Sequence, residues 1–142
     1  MKKLALDVGF MAANGPLWGR LDPEDGLPIM GFRVEERHMN PGRICHGGMM
    51  MTFADMLLGF TAGIAAGGRK FVPTIQLNGD FAAPAPLGAW VEGKGRLVRL
   101  TRNMGFVDSL ITADGVPCLR ANGIMKIPSQ DTPHGDIRRL FG

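Results

Sequence analysis

Residues 47–66 read "GGMMMTFADMLLGFTAGIAA", an apolar run with a single charged residue, Asp55. It contains no proline and is longer than a strand usually is, so length predicts a helix. A helix that is apolar on every side has to be enclosed by the rest of the protein. The run is nearly long enough to span a bilayer. However, Gly, Ala, Met and Thr dominate it rather than Leu and Ile, and no second span exists. A central Asp also costs about 2.5–3.5 kcal/mol on insertion. The expectation is therefore no membrane segment but a core helix, and the remaining chain has to cover it.

The flanks show how. Upstream, "LWGRL" and "LPIMGFRVEE" are separated by the turn sequence "DPEDG" and read as a hairpin. "MNPGRICHGG" is a loop, and the two glycines of "AAGGRK" end the helix. Downstream, "FVPTIQLNGDFAAPAP" and "GAWVEGKGRLVRLT" read as extended segments. "MGFVDSLITAD" and "VPCLRANGIMKI" are joined through "DG", a strong hairpin signal. One helix followed by about four antiparallel strands predicts an α+β fold. A curved antiparallel sheet of five to six strands would wrap around one long central helix. At 142 residues the chain forms one domain. Its core is expected over about residues 17–128, with 129–142 a loosely held tail.

The net charge of +3 is modest, and basic residues come in scattered pairs without aromatic interleaving, so nucleic acid is not an expected partner. Two cysteines, Cys45 and Cys118, make neither a CxxC nor a disulfide framework. Asp7 breaks the apolar run after "MKKLAL", so the start does not read as a signal peptide. A cytoplasmic location is expected.

A carboxylate inside an apolar helix must be hydrogen-bonded, paired or functional. Asp55 has no Lys or Arg three or four residues away; those positions are Met51, Thr52, Leu58 and Gly59. A structural and a functional Asp are equally open on these grounds. The loop before the helix adds to the picture. "HGG" at 46–48 opens the helix, where backbone N–H groups and the helix dipole favour negative charge. Glycine allows a substrate carbonyl close approach, and such donors suit a developing oxyanion. Asn40 is placed to orient a carbonyl or a water. Taken singly, "HGG" also reads as a tight turn and Asn40 as a loop hydrogen bond. Gly47 and Asp55 are eight residues apart, so about 12 Å along the helix axis. One helix cannot aim both at the same carbonyl; if both act, a second chain supplies one of them.

The set Asn40, His46, Gly47, Gly48 and Asp55, spaced N-x5-HGG-x6-D, resembles the motif of hotdog-fold acyl-CoA thioesterases. The nearest group is the phenylacetate-pathway (PaaI-type) branch, which includes one type of 4-hydroxybenzoyl-CoA thioesterase. "PTIQLNGDFAAPAPLG" and "DGVPCLRANGIMKI" are similar to the family's later strands, and the resemblance spans about residues 28–127. It implies the hotdog fold and hydrolysis of an acyl-CoA to free acid and CoA. Asp55 would be general base or nucleophile, Gly47 and Asn40 would act on the carbonyl or water, and His46 would anchor the loop. Thr74 matches a family Ser or Thr that faces the site. It further implies sites at homodimer interfaces, often within homotetramers, and no cofactor beyond the substrate's CoA. The CoA phosphates call for basic residues, for which Arg96, Arg99 and Arg102 are candidates.

Three rival chemistries fit less well. Cys45 beside His46 is a poor nucleophile pair, because such partners meet in space rather than in sequence. His38, Cys45, His46 and Asp55 lack zinc-site spacing, so no metal is expected. A hotdog dehydratase or hydratase would need a His in other surroundings. A non-catalytic acyl-CoA-binding protein remains the alternative from a different class.

Overall fold

A computed structural model describes residues 1–142. Its centre is α2 (Gly47–Ala65), against which an antiparallel sheet curves. The remaining elements are β1 (Lys2–Lys3), α1 (Gly9–Asn14), β2 (Trp18–Leu21), β3 (Pro28–Arg33), β4 (Thr74–Phe81), β5 (Trp90–Lys94), β6 (Arg96–Leu100), β7 (Met104–Ala113) and β8 (Val116–Lys126). The strands lie in the order β1-β2-β3-β5-β7-β8-β4, with β6 also on β7. The sheet has eight strands instead of the five to six expected. Two causes account for the difference: β1 is a two-residue strand, and one long extended segment is divided into β5 and β6.

Gly95 makes that division. A Cβ there would lie 1.7 Å from Thr61 Oγ1 of α2, so only a glycine lets the strand pass the helix. At Gly93 a Cβ would meet Leu57 and Ile111 within 3.0 Å. These two glycines let the sheet bend closely onto the helix. The core between them includes Phe32, Phe53, Leu57, Leu58, Ile111 and Leu119, all essentially inaccessible to solvent. At the "DG" turn, Asp114 (φ 47°) and Gly115 (φ 82°) both take the left-handed conformation that a two-residue hairpin of this kind requires. Gly67 (φ 107°) and Gly68 (φ 81°) end α2.

The helix is enclosed on one face only. Although α2 is long and apolar enough to cross a membrane, half of it is buried inside this fold. Met51, Thr52, Asp55, Met56, Gly59 and Phe60 form a half-open stripe along the other side. Next to that stripe runs β4, an edge strand with Ile75 and Phe81 more than half exposed.

The tail is not loose. Ile137–Leu140 forms a 3₁₀ turn, and Phe141 is buried with its ring edge-on to Phe60 at 5.3 Å. A Cβ on Gly19 would come within 2.8 Å of that ring, so the glycine in β2 makes room for it. The apolar spacing Ile137, Leu140, Phe141 provides the docking face.

Candidate active site

The loop entering α2 is held by backbone bonds: Asn40 N–H donates to Ile44 O and His46 N–H to His38 O. Asn40 Oδ1 accepts from Ile44 N–H at 3.3 Å, which leaves the Asn40 amide nitrogen without a partner in the chain. His38 is buried. Its Nδ1 accepts from Glu35 N–H (3.0 Å) and its Nε2 lies 2.8 Å from Asn14 O, so the proton sits on Nε2. That histidine, edge-on to Phe32, pins the loop to the end of α1.

At the helix start the donors divide unequally. Gly48 N–H donates to His46 Nδ1 at 2.7 Å, so His46 is the N-cap. Met49 and Met50 N–H both donate to His46 O. The Gly47 N–H alone has no acceptor within the chain. Several free donors were expected from "HGG"; capping by the histidine leaves one. The exposed Phe81 ring lies beside it, 3.4 Å from where a Gly47 Cβ would stand. Phe81 did not stand out in the sequence, because only the course of β4 along the helix brings it there.

Two turns further on, Thr74 Oγ1 donates to Asp55 Oδ1 at 2.5 Å. No cation is within ion-pairing distance of Asp55, and its second oxygen makes no hydrogen bond in the chain. Within one chain the structure therefore brings Thr74 to Asp55 and separates both from Asn40, His46 and Gly47. Asp55 and Thr74 open onto a cavity of about 500 Å³. Its other walls include Phe60, Phe71 and Val72, together with Thr132, His134 and Ile137 from the tail. The tail residues escaped the sequence reading because that segment has no periodic pattern before Ile137.

The three arginines differ. Arg96 is engaged by Asp108 in a two-pronged pair, at 2.7 and 2.5 Å, while Arg99 and Arg102 are exposed and unpaired. Cys45 is buried, and desolvation pushes its thiol up to about 11, so it is no nucleophile at neutral pH.

Comparisons with known proteins show the family and the fold. Residues 42–118 match the family model of the thioesterase superfamily. A Pseudomonas aeruginosa protein named as an esterase is 29% identical over 114 residues, covering 80% of this chain and 84% of that protein. Among solved structures, a mutant of the phenylacetic acid degradation protein PaaI from Thermus thermophilus superposes with a TM-score of 0.73 at 22% identity. It covers 84% of this chain and 98% of that one. A Streptococcus mutans protein bound to acetyl CoA superposes with a TM-score of 0.76 at 20% identity, covering 91% and 98%. Zebrafish thioesterase superfamily member 2 gives 0.76 at 21% identity, covering 87% and 90%.

Proposed function

The chain belongs to the thioesterase superfamily, and from that premise we propose that it hydrolyses an acyl-CoA thioester at a site shared by two copies of the chain. The observation that carries this reading is the Thr74–Asp55 pair facing an open cavity, with the one free helix donor, Gly47 N–H, two turns away. At about 1.5 Å per residue that separation is about 12 Å. A second copy docked on the exposed edge of β4 would bring its own Gly47 to the first copy's Asp55, and covering an apolar strand edge favours such docking. Homotetramers would be pairs of these dimers.

In the reaction, the Gly47 N–H and the helix dipole polarise the thioester carbonyl. Asn40, through its free amide, orients the carbonyl or the water. Asp55, its rotamer set by Thr74, takes a proton from water as the water oxygen bonds to the acyl carbon. The tetrahedral oxyanion collapses, the C–S bond breaks, and the CoA thiolate leaves and takes up the proton. Direct attack by Asp55, giving an anhydride that water then opens, uses the same groups. A thioester is electrophilic enough that no metal or cofactor is required. His46, with Nδ1 engaged in capping, holds the loop. Arg99 and Arg102 would meet the CoA phosphates, while Arg96 is held by Asp108.

The test is thiol release from a panel of acyl-CoA thioesters by wild type and Asp55→Asn, with both variants confirmed folded. Turnover by wild type and its loss in Asp55→Asn supports the reading. Binding without thiol release would make the chain an acyl-CoA-binding protein instead.

A further inference from the structure

The cavity beside Asp55 has a second wall that the hydrolysis scheme leaves unused. On one side stand Asp55, Met56, Gly59 and Phe60 of α2; on the other, Thr132, His134 and Ile137. The second wall is pinned in place. Thr132 N–H donates to Arg69 O and Ile137 N–H to Gly68 O, both at 2.8 Å. Lys70 Nζ donates to Ser129 O at 3.1 Å and to Asp131 Oδ1 at 3.2 Å. Where this wall meets the helix, Ile137 Cδ1 lies 2.9 Å from the place of a Gly63 Cβ. Gly63 is eight residues past Asp55, about 12 Å along the axis. Ile137 thus closes the cavity about two helical turns from the carboxylate. Between them, the space above Gly59 is open, with nothing within 4 Å of a Cβ built there.

The lining is mixed. Phe60, Phe71, Val72 and Ile137 present apolar surface. Among them, half-buried Thr132 and solvent-exposed His134 line the same cavity, and no side-chain hydrogen bond within the chain engages either. A pocket that is mostly apolar with a few polar groups selects by shape first and by hydrogen bonding second. We propose that the carboxy-terminal segment is the specificity wall for the acyl group. Ile137 sets the length limit, and Thr132 and His134 favour a short acyl group with a hydrogen-bonding substituent remote from the thioester. The inference rests on the thioester-hydrolase reading for the orientation of the ligand. Its own content is which acyl groups bind.

The experiment compares hexanoyl-CoA, 6-hydroxyhexanoyl-CoA and dodecanoyl-CoA, measuring both dissociation constants and kcat/KM. Wild type is expected to favour the hydroxylated ligand over hexanoyl, and hexanoyl over dodecanoyl. Thr132→Val combined with His134→Leu should shrink the first preference about tenfold, while His134→Gln, which keeps a hydrogen-bonding group, should retain most of it. Ile137→Ala should raise the dodecanoyl-to-hexanoyl ratio at least fivefold. Gly59→Leu fills the cavity from the helix without disturbing the tail and should weaken hexanoyl binding by a similar factor, whether or not Ile137→Ala keeps the tail docked. Ratios unchanged from wild type in these variants overturn the inference. If the preferences show in binding while no thiol is ever released, the specificity wall stands and the hydrolase reading falls.

Discussion

The Thr74 hydroxyl donates to Asp55 Oδ1 across 2.5 Å, tying the middle of the core helix to the first residue of the edge strand. The sheet register slips between Thr74 and Gln76, and this irregularity sits at the residue that makes the bond. The consequence is a carboxylate with one oxygen fixed and one without a partner in the chain.

Asp55→Asn keeps the shape and removes the carboxylate proposed as base or nucleophile, so turnover should fall about a hundredfold or more. Thr74→Val keeps the volume and removes only the donor. A hydrogen bond to a charged group is worth about 1.5–3 kcal/mol, so kcat should fall about tenfold to a hundredfold, and Thr74→Ser should restore most of it. Equal activity of Thr74→Val and wild type would leave the bond a packing detail.

Gly47 offers a test of the single free donor. It is the first helical residue, and His46 before it is extended (φ −57°, ψ 134°), a conformation that precedes proline well. Gly47→Pro should therefore fold while deleting the N–H, and kcat should drop about a hundredfold to a thousandfold. Co-refolding Gly47→Pro with Asp55→Asn then decides whether sites are shared. Mixed dimers with shared sites hold one intact site and one doubly damaged site, so activity returns in the mixture. Sites built within one chain would stay inactive.

The helix, the "DG" hairpin and the anomalous Asp55 were legible because each depends on neighbours in sequence: the length of an unbroken apolar run, turn chemistry, and the lack of a cation at helical spacing. Family resemblance put Thr74 at the site but did not foresee its bond to Asp55, since nothing local in a 19-residue separation sets the register of β4 against α2. The His46 cap was missed as a competitor for donors, because a loop's side-chain direction depends on how His38 and Asn40 fold it. The tail was misjudged because its anchoring comes from distant partners: Gly68, Arg69 and Lys70 for the backbone, and Gly19 and Phe60 for Phe141.

Gly95 predicts a stability effect far from the chemistry. Gly95→Ala puts a methyl 1.7 Å from Thr61 Oγ1 and 2.8 Å from Thr61 Cβ, on a fully buried helix face. Overpacking of this kind costs about 1–3 kcal/mol, and thermal unfolding should show it as a lower Tm. Thr61→Ala removes the nearer atoms, so the double variant should be more stable than the sum of the single changes implies. Simple additivity would mean that the strand, not the threonine, sets the clash.

Acid should loosen the tail before the core. The Arg138 guanidinium and backbone N–H hydrogen-bond Asp136, holding its carboxyl down from 3.8 to about 2. The folded state therefore favours the ionised form. The stabilisation from this contact is fully present above about pH 4 and is lost as pH falls through 2. Asp136 caps the 3₁₀ turn whose Ile137 N–H bonds Gly68 O, so protonation should release that amide. Hydrogen-exchange protection at Ile137, corrected for intrinsic rates, should fall between pH 4 and pH 2 while that of buried β7 amides such as Val107 and Ile111 stays high. Asp136→Asn should show weakened Ile137 protection already at neutral pH and little further change on acidification. If Ile137 in that variant keeps wild-type protection and the same acid response, another carboxylate governs the tail.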